Sequence, residues 1–165
     1  SIDWAFTTGV TTACPTGEAA EGSTCPELPV TRDEMAQFMW RSKGQPTPTT
    51  TATFEDVAVD ATYTTAVDWL AEQQITLGCT TTTYCPNGTV TRAEMAAFLW
   101  RLEDSPEGSA PAGFVDVSDD SFAVNAVDWL LASETTTGCT PTTYCPQGLV
   151  TRAEMFTFLE RLEAS

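Results

Sequence analysis

Seven basic side chains stand against 23 carboxylates in this 165-residue chain. Six of the seven fall in two repeated columns, Arg32/Arg92/Arg152 and Arg41/Arg101/Arg161, and only Lys43 lies outside them. The first column sits in VTRAEMAAFLWR, which starts at Val90 and recurs as VTRDEMAQFMWR from Val30 and VTRAEMFTFLER from Val150. A guanidinium beside exposed N–H groups at the start of a helix suits a carboxylate or another anion, which it can grip through two parallel hydrogen bonds. The chemistry on offer is therefore anion recognition. With no histidine in the chain, the usual general base, the Ser-His and Cys-His pairs and histidine-ligated zinc are all missing. No catalytic residue, cofactor or metal ligand is assigned, and an enzyme is not expected.

Much of the motif is helix-start grammar. Thr91 followed by Glu94 is a capping box, and Val90 with Met95 is placed to form a hydrophobic staple. Arginine is not explained in this way, because a cation in the first turn faces the positive end of the helix dipole. For Arg32, Arg92 and Arg152 two readings stay open: a buried pair with an acid such as Asp3, Asp68 or Asp128, or an anion contact in a cleft. Arg41, Arg101 and Arg161 fall near helix C-termini, where the dipole favours them, and read as solvated or ion-paired within the chain. The pairs Asp3-Trp4, Asp68-Trp69 and Asp128-Trp129 read first as core, although an aromatic beside an acid and an arginine also furnishes a carbohydrate cleft. Asp56, Asp60, Asp116, Asp119 and Asp120 lack EF-hand spacing, so calcium is not assigned. The sequon at Asn87 matters only in a host with N-glycosylation.

These residues repeat every sixty positions, as do Phe54/Phe114, Trp69/Trp129 and Cys85/Cys145. The chain is three copies of one unit, with bounds at 1–46, 54–106 and 114–165. The first copy is truncated: SIDWA aligns with AVDWL at Ala66, so the arm equivalent to Phe54 through Thr65 is missing from it. KGQPTPTTTAT and EDSPEGSAPAG between copies read as linkers. Each unit holds two helix candidates, one around the Asp-Trp pair and one in the arginine motif, where Met95, Phe98, Leu99 and Leu102 form a buried stripe. Six helices are expected, paired within each unit.

Two cysteines per copy fall between the helices: Cys14/Cys25, Cys79/Cys85 and Cys139/Cys145. No two-residue CxxC spacing offers a zinc site, and an even count paired within repeats reads as three local disulfides. Closing a loop of about seven residues stabilises by roughly 2.4 kcal/mol in the chain-entropy model, which implies an oxidising, extracellular or cell-surface setting. The insertion in CPTGEAAEGSTC makes the first loop the most divergent surface. A net charge of −16 argues against nucleic acid and anionic membrane surfaces as partners. No apolar run reaches the length of a membrane span, and the N-terminal residues do not read as a signal peptide.

The unit F-x-D-V, A-V-D-W-L, Gly-Cys, Tyr-Cys-Pro and V-T-R-A-E-M-A-A-F-L resembles the S-layer homology (SLH) domain, in a cysteine-containing form similar to that of actinobacterial secreted proteins. The resemblance implies a mainly α fold: three tandem helix-loop-helix repeats in one pseudo-threefold body, with grooves between copies. It further implies a module that anchors proteins to the cell wall by binding anionic, often pyruvylated, polysaccharide in those grooves. By position the family's arginine falls on Arg32, Arg92 and Arg152, with Asp3, Asp68, Asp128, Trp4, Trp69 and Trp129 as candidate ligand-binding companions. Asp33 replaces alanine beside Arg32, Tyr63 is displaced by one place relative to Phe122, and the glycine ending the first helix is kept as Gly9 but is Gln74 and Glu134 elsewhere. The grooves are therefore expected to be inequivalent. A chain made almost wholly of such units also fits a self-assembling lattice or filament subunit, with other copies of itself as partners.

Overall fold

The computed structural model describes residues 1–11, 14 and 24–164. Its six helices are α1 (Ile2–Thr7), α2 (Arg32–Ser42), α3 (Thr64–Glu72), α4 (Arg92–Leu102), α5 (Val124–Ala132) and α6 (Arg152–Ala164). Among the described residues the only β structure is isolated bridges. The fold is mainly helix and loop.

The even helices begin where the capping grammar places them. Glu94 N donates to Thr91 Oγ1 at 3.3 Å, and Thr91 N donates to Glu94 Oε2 at 2.9 Å. The reciprocal pair recurs between Thr151 and Glu154. In the first copy Thr31 N donates to Glu34 at 3.2 Å, while the Thr31 hydroxyl turns to the extra acid, Asp33, at 2.6 Å. The staple residues Val30, Val90 and Val150, with Met35, Met95 and Met155, are wholly buried.

Helix pairing departs from expectation. Partners are not the two helices of one unit: α2 packs on α3, α4 on α5 and α6 on α1. The reason lies in the linkers, which are straps rather than spacers. Trp40 Nε1 donates to Pro46 O and Trp100 Nε1 to Pro106 O, both at 2.8 Å. At the far end, Ala52 N donates to Asp68 and Ala112 N to Asp128, again at 2.8 Å. Each strap is thereby fastened along the two helices it joins, and the second helix of one copy lies beside the first helix of the next.

The loop inside each copy reaches inward. Val30 N donates to Val150 O (2.8 Å), Val150 N to Val90 O (3.0 Å) and Val90 N to Val30 O (3.1 Å), a closed ring of backbone bonds through all three copies. The Phe-x-Asp arms brace the inner loops: Asp56 accepts from Tyr84 N and Cys85 N at 2.7 Å, and Asp116 accepts from Tyr144 N and Cys145 N at 2.8 Å. Phe54 packs against Tyr84 and Phe114 against Tyr144. The three disulfides join Cys14 to Cys25, Cys79 to Cys85 and Cys139 to Cys145. Beside the last two, Gly78 and Gly138 have φ of +83° and +81°, and an added Cβ would come within 2.4 Å of Thr80 O or 2.6 Å of Thr140 O. Only glycine fits there. The insertion expected to be the most divergent loop lies outside the described residues.

Candidate functional site

The N–H groups that the first turns were expected to offer to an anion are already occupied. Arg92 N donates to Gly148 O (2.8 Å) and Ala93 N to Pro146 O (3.0 Å). Arg32 N and Asp33 N make the same bonds to Gly88 O and Pro86 O, and Arg152 N and Ala153 N to Leu28 O and Pro26 O. Each helix start is thus plugged into the inner loop of the next copy.

The guanidinium follows its backbone across the same joint. Arg92 Nε donates to Tyr144 O at 2.8 Å and Nη1 pairs with Glu154 at 3.0 Å, while the cation lies over the rings of Tyr144 and Phe158. Arg32 Nε donates to Tyr84 O at 2.7 Å, Nη1 lies 3.5 Å from Glu94, and Tyr84 and Phe98 flank it. Arg152 Nε donates to Thr24 O at 2.6 Å, Nη1 pairs with Glu34 and Nη2 donates to Thr11 Oγ1 at 3.1 Å. The carboxylates that meet this column are therefore Glu94, Glu154 and Glu34, and not Asp3, Asp68 or Asp128. These glutamates serve twice, since one oxygen caps their own helix and the other meets the neighbour's arginine.

Tyrosine closes the joint from the other side. Tyr84 Oη donates to Arg32 O at 2.7 Å and Tyr144 Oη to Arg92 O at 3.0 Å. Burial pushes both phenols far above the usual tyrosine range, so the donating proton is kept at neutral pH. Sequence reasoning missed these tyrosines and weighed the arm aspartates only as calcium ligands, although Asp56/Asp116 and Tyr84/Tyr144 repeat at the same sixty-residue spacing as the arginines.

Two grooves lie over these joints. The first, about 290 Å³, is lined by Arg32, Leu77, Glu94, Phe98, Arg101 and Phe122 among others. The second, about 250 Å³, is lined by Arg92, Thr137, Glu154, Thr157, Phe158, Arg161 and their neighbours. Each brings together both arginine columns, from two different copies, which the sequence had placed on separate duties. The second column was expected to be solvated or ion-paired. The solvated reading fits Arg161, which is exposed, while Arg41 and Arg101 are half-buried; all three donate to loop carbonyls, of Val10, Ile75 and Thr135, at 3.3, 3.3 and 2.8 Å. Among the described residues no carboxylate lies within ion-pair distance of them. These guanidiniums sit where the first helix of their own copy gives out, so loop carbonyls, and not acids, face them. Burial lowers the pKa of Arg41 and Arg101, yet an arginine stays charged at neutral pH.

The Asp-Trp pairs stand apart from these grooves. Asp68 and Asp128 hold the straps. Trp69 is buried, Trp4 and Trp129 are partly buried against the core, and Asp3 is exposed on α1. Asp128 does line a separate depression of about 260 Å³ with Trp100, Pro106 and Asn125. Asp56 and Asp116 spend their carboxylates on backbone N–H groups, and no cluster of three potential metal ligands occurs among the described residues.

Comparison with known families matches the S-layer homology domain at residues 53–96 and 113–156, together just over half of the chain. Among curated proteins, the chain is similar to endo-1,4-beta-xylanase A of Thermoanaerobacterium saccharolyticum, at 37% identity over 76 residues. That stretch is 46% of this chain and 6% of the xylanase, so the chain spans a small part of that relative.

Proposed function

We propose, for a chain that belongs to the S-layer homology domain family, a non-catalytic role: it binds anionic cell-wall polysaccharide in the grooves between copies and so anchors a protein to the cell surface. Domains of this family generally anchor proteins to cell-wall polysaccharide, and no helix among the described residues is long and apolar enough to cross a membrane. The copy at 1–46 is read as a third SLH repeat beside those at 54–106 and 114–165. The valine ring supports a pseudo-threefold arrangement of the three, because each copy donates once and accepts once in it.

One observation carries the functional reading. In a chain of net charge −16, each groove brings two arginines to one glutamate, which leaves a positive excess on an otherwise acidic molecule. Arg32 and Arg92 form the groove floors, and Arg152 takes the corresponding place against the first copy. Asp3, Asp68, Asp128, Trp4, Trp69 and Trp129 lie on the first helix of each copy, apart from the grooves, and are proposed to contribute by holding those helices and the straps in place.

Co-sedimentation with isolated anionic wall polysaccharide tests the reading. The protein is expected in the pellet, with binding weakened as salt is raised, since exposed charge contacts are screened within about 10 Å at 0.1 M salt. A protein that stays in the supernatant sinks the proposal. Large particles by light scattering without polysaccharide would favour the self-assembling subunit instead.

A further inference from the structure

We infer that the depression under the second strap is a binding site for a primary ammonium group, with Trp100 as its aromatic wall and Asp128, Glu107 and Asn125 as its acceptors. The inference is independent of the polysaccharide reading, because the site lies apart from the arginine grooves and takes a cation. The cavity, about 260 Å³, is bounded by strap residues from Pro106 onward, by Trp100 of α4 and by Asn125 and Asp128 of α5.

Its walls are fixed without a ligand. Trp100 Nε1 donates to Pro106 O at 2.8 Å, which sets the plane of the half-buried indole. Asp128 Oδ1 accepts from Ala112 N at 2.8 Å, which orients that carboxylate and leaves Oδ2 without a partner among the described residues. The carboxylate of Glu107 and the amide of Asn125 line the same cavity, and neither makes a hydrogen bond or an ion pair among the described residues. An aromatic wall with a few fixed polar groups is the usual design for a small ligand.

The polar groups decide which ligand. Two carboxylates in one cavity, with no cation between them, repel each other and any anion. An ammonium group brings the missing charge and three N–H donors for Asp128, Glu107 and Asn125 Oδ1, and an indole is the best aromatic partner for a cation. No third ligand of the kind a metal needs joins the two carboxylates among the described residues, too few for a calcium cage.

The first strap is closed where the second is open. Glu72 of α3 accepts from Thr49 N at 2.8 Å and from the Thr49 hydroxyl, which ties the middle of that strap to its helix. Ala132 stands at the equivalent position of α5, and residues 107–110 make no hydrogen bond to that helix. Thr47 and Thr65 stand where the second site has Glu107 and Asn125. The equivalent place between α2 and α3 therefore serves as an internal control.

Titration of butylammonium into the 165-residue chain, followed through the indole N–H signals of its five tryptophans, tests this. The signal missing from Trp100→Phe identifies Trp100, and a saturable shift there is expected while that of Trp40 stays in place. Asp128→Asn keeps an oxygen for Ala112 N and should weaken binding about tenfold, the scale of a charged hydrogen bond. Glu107→Gln should weaken it about threefold, and Glu55→Gln, which removes an exposed carboxylate of the second copy's arm, should leave it unchanged. A lysine peptide with blocked termini separates the sources: binding as tight as that of butylammonium assigns the site to a lysine side chain of a partner protein, and binding by butylammonium alone assigns it to a free amine. No saturable shift at Trp100 with either amine, an equal shift at Trp40, or an equal response to butanol overturns the inference. So does unchanged affinity in Asp128→Asn, or an equal loss in Glu55→Gln, which would report net charge alone. Should Asp128→Asn lose its cooperative melt, Glu107→Gln decides, and undiminished binding in that variant overturns the inference.

Discussion

Arg92 enters a socket that Tyr144 closes at both ends: the tyrosine carbonyl accepts from the guanidinium, and its hydroxyl donates back to the Arg92 carbonyl. An arm stands behind that tyrosine, with Phe114 against its ring and Asp116 on its N–H. Arg152 enters a different socket, because the first copy has Thr24 in place of tyrosine. It keeps the two bonds common to all three joints, Nε to a carbonyl and Nη1 to the capping-box glutamate, and adds Thr11. It is also more enclosed: the Arg152 side chain is 1% exposed and Glu34 13%, against 7% for Arg92 and 40% for Glu154. The carbonyl and the glutamate are the minimum joint. Tyrosine reinforces it, and where threonine stands in its place the ion pair itself is sealed from water.

That contrast is broken most directly at the arginines. Arg152→Ala would strand a nearly buried Glu34 carboxylate and is expected to cost about 3–5 kcal/mol of folding stability. Arg92→Ala leaves Glu154 free to hydrate and should cost about 1–3 kcal/mol. Denaturant unfolding of the two variants checks the order. Equal losses would mean that the sealed pair at the first copy is no different in kind from the other two.

High pH sharpens the comparison from the other side, since only two of the joints carry a tyrosine. Burial raises the folded-state pKa of Tyr84 and Tyr144 above the unfolded value of about 10. Above that pH the unfolded chain loses phenol protons that the folded chain keeps, so the unfolded state binds fewer protons and stability falls. The expected slope between pH 10 and 12 is about 1.4 kcal/mol per pH unit for each tyrosine. Replacing both with phenylalanine should remove most of that slope, leaving a smaller part from Tyr63, whose phenol is raised by partial burial. It should also lower stability near pH 7 by about 1 kcal/mol per lost hydroxyl. An unchanged slope in the double variant would show that these hydroxyls do not bear on the joints.

How much of this was legible depends on whether the interaction is local. The capping box is written within four residues, and Thr91 and Glu94 could be assigned without knowing the fold. The second use of Glu94 is not local, because Arg32 lies in another copy. A repeat tells which residues are equivalent but not which copies are neighbours. The search for an arginine partner among Asp3, Asp68 and Asp128 stayed close to the first helix of each unit and missed the glutamate across the joint. Pairing helices within each unit failed for the same reason, since the strap anchors at Pro46 and Pro106 accept from tryptophan through backbone oxygens that side-chain patterns do not reveal. The second arginine column was assigned to helix-end electrostatics, and its presence in the grooves depended on the same unknown adjacency.

The smallest effect concerns the ends of the odd helices, where the first copy is the better built. Gly9, Gln74 and Glu134 occupy equivalent sites with φ of +74°, +57° and +59°. After α3 the chain makes the paired bonds of a left-handed helix stop: Gln74 N donates to Ala71 O at 3.0 Å and Ile75 N to Leu70 O at 2.8 Å. A glutamine or glutamate held left-handed costs about 1–2 kcal/mol, part of which glycine would return through its greater freedom when unfolded. Gln74→Gly and Glu134→Gly should therefore each raise stability by up to about 1 kcal/mol, which in a chain of this size moves the melting temperature by about 2–4 °C. Gly9→Ala should lower stability by a similar amount, about 1 kcal/mol. An added Cβ at Gly9 would meet nothing within 4 Å, so that loss reports backbone strain alone. A fall in stability on Gln74→Gly would place its exposed side chain among the contacts that hold the second copy, and would end the parallel with Gly9.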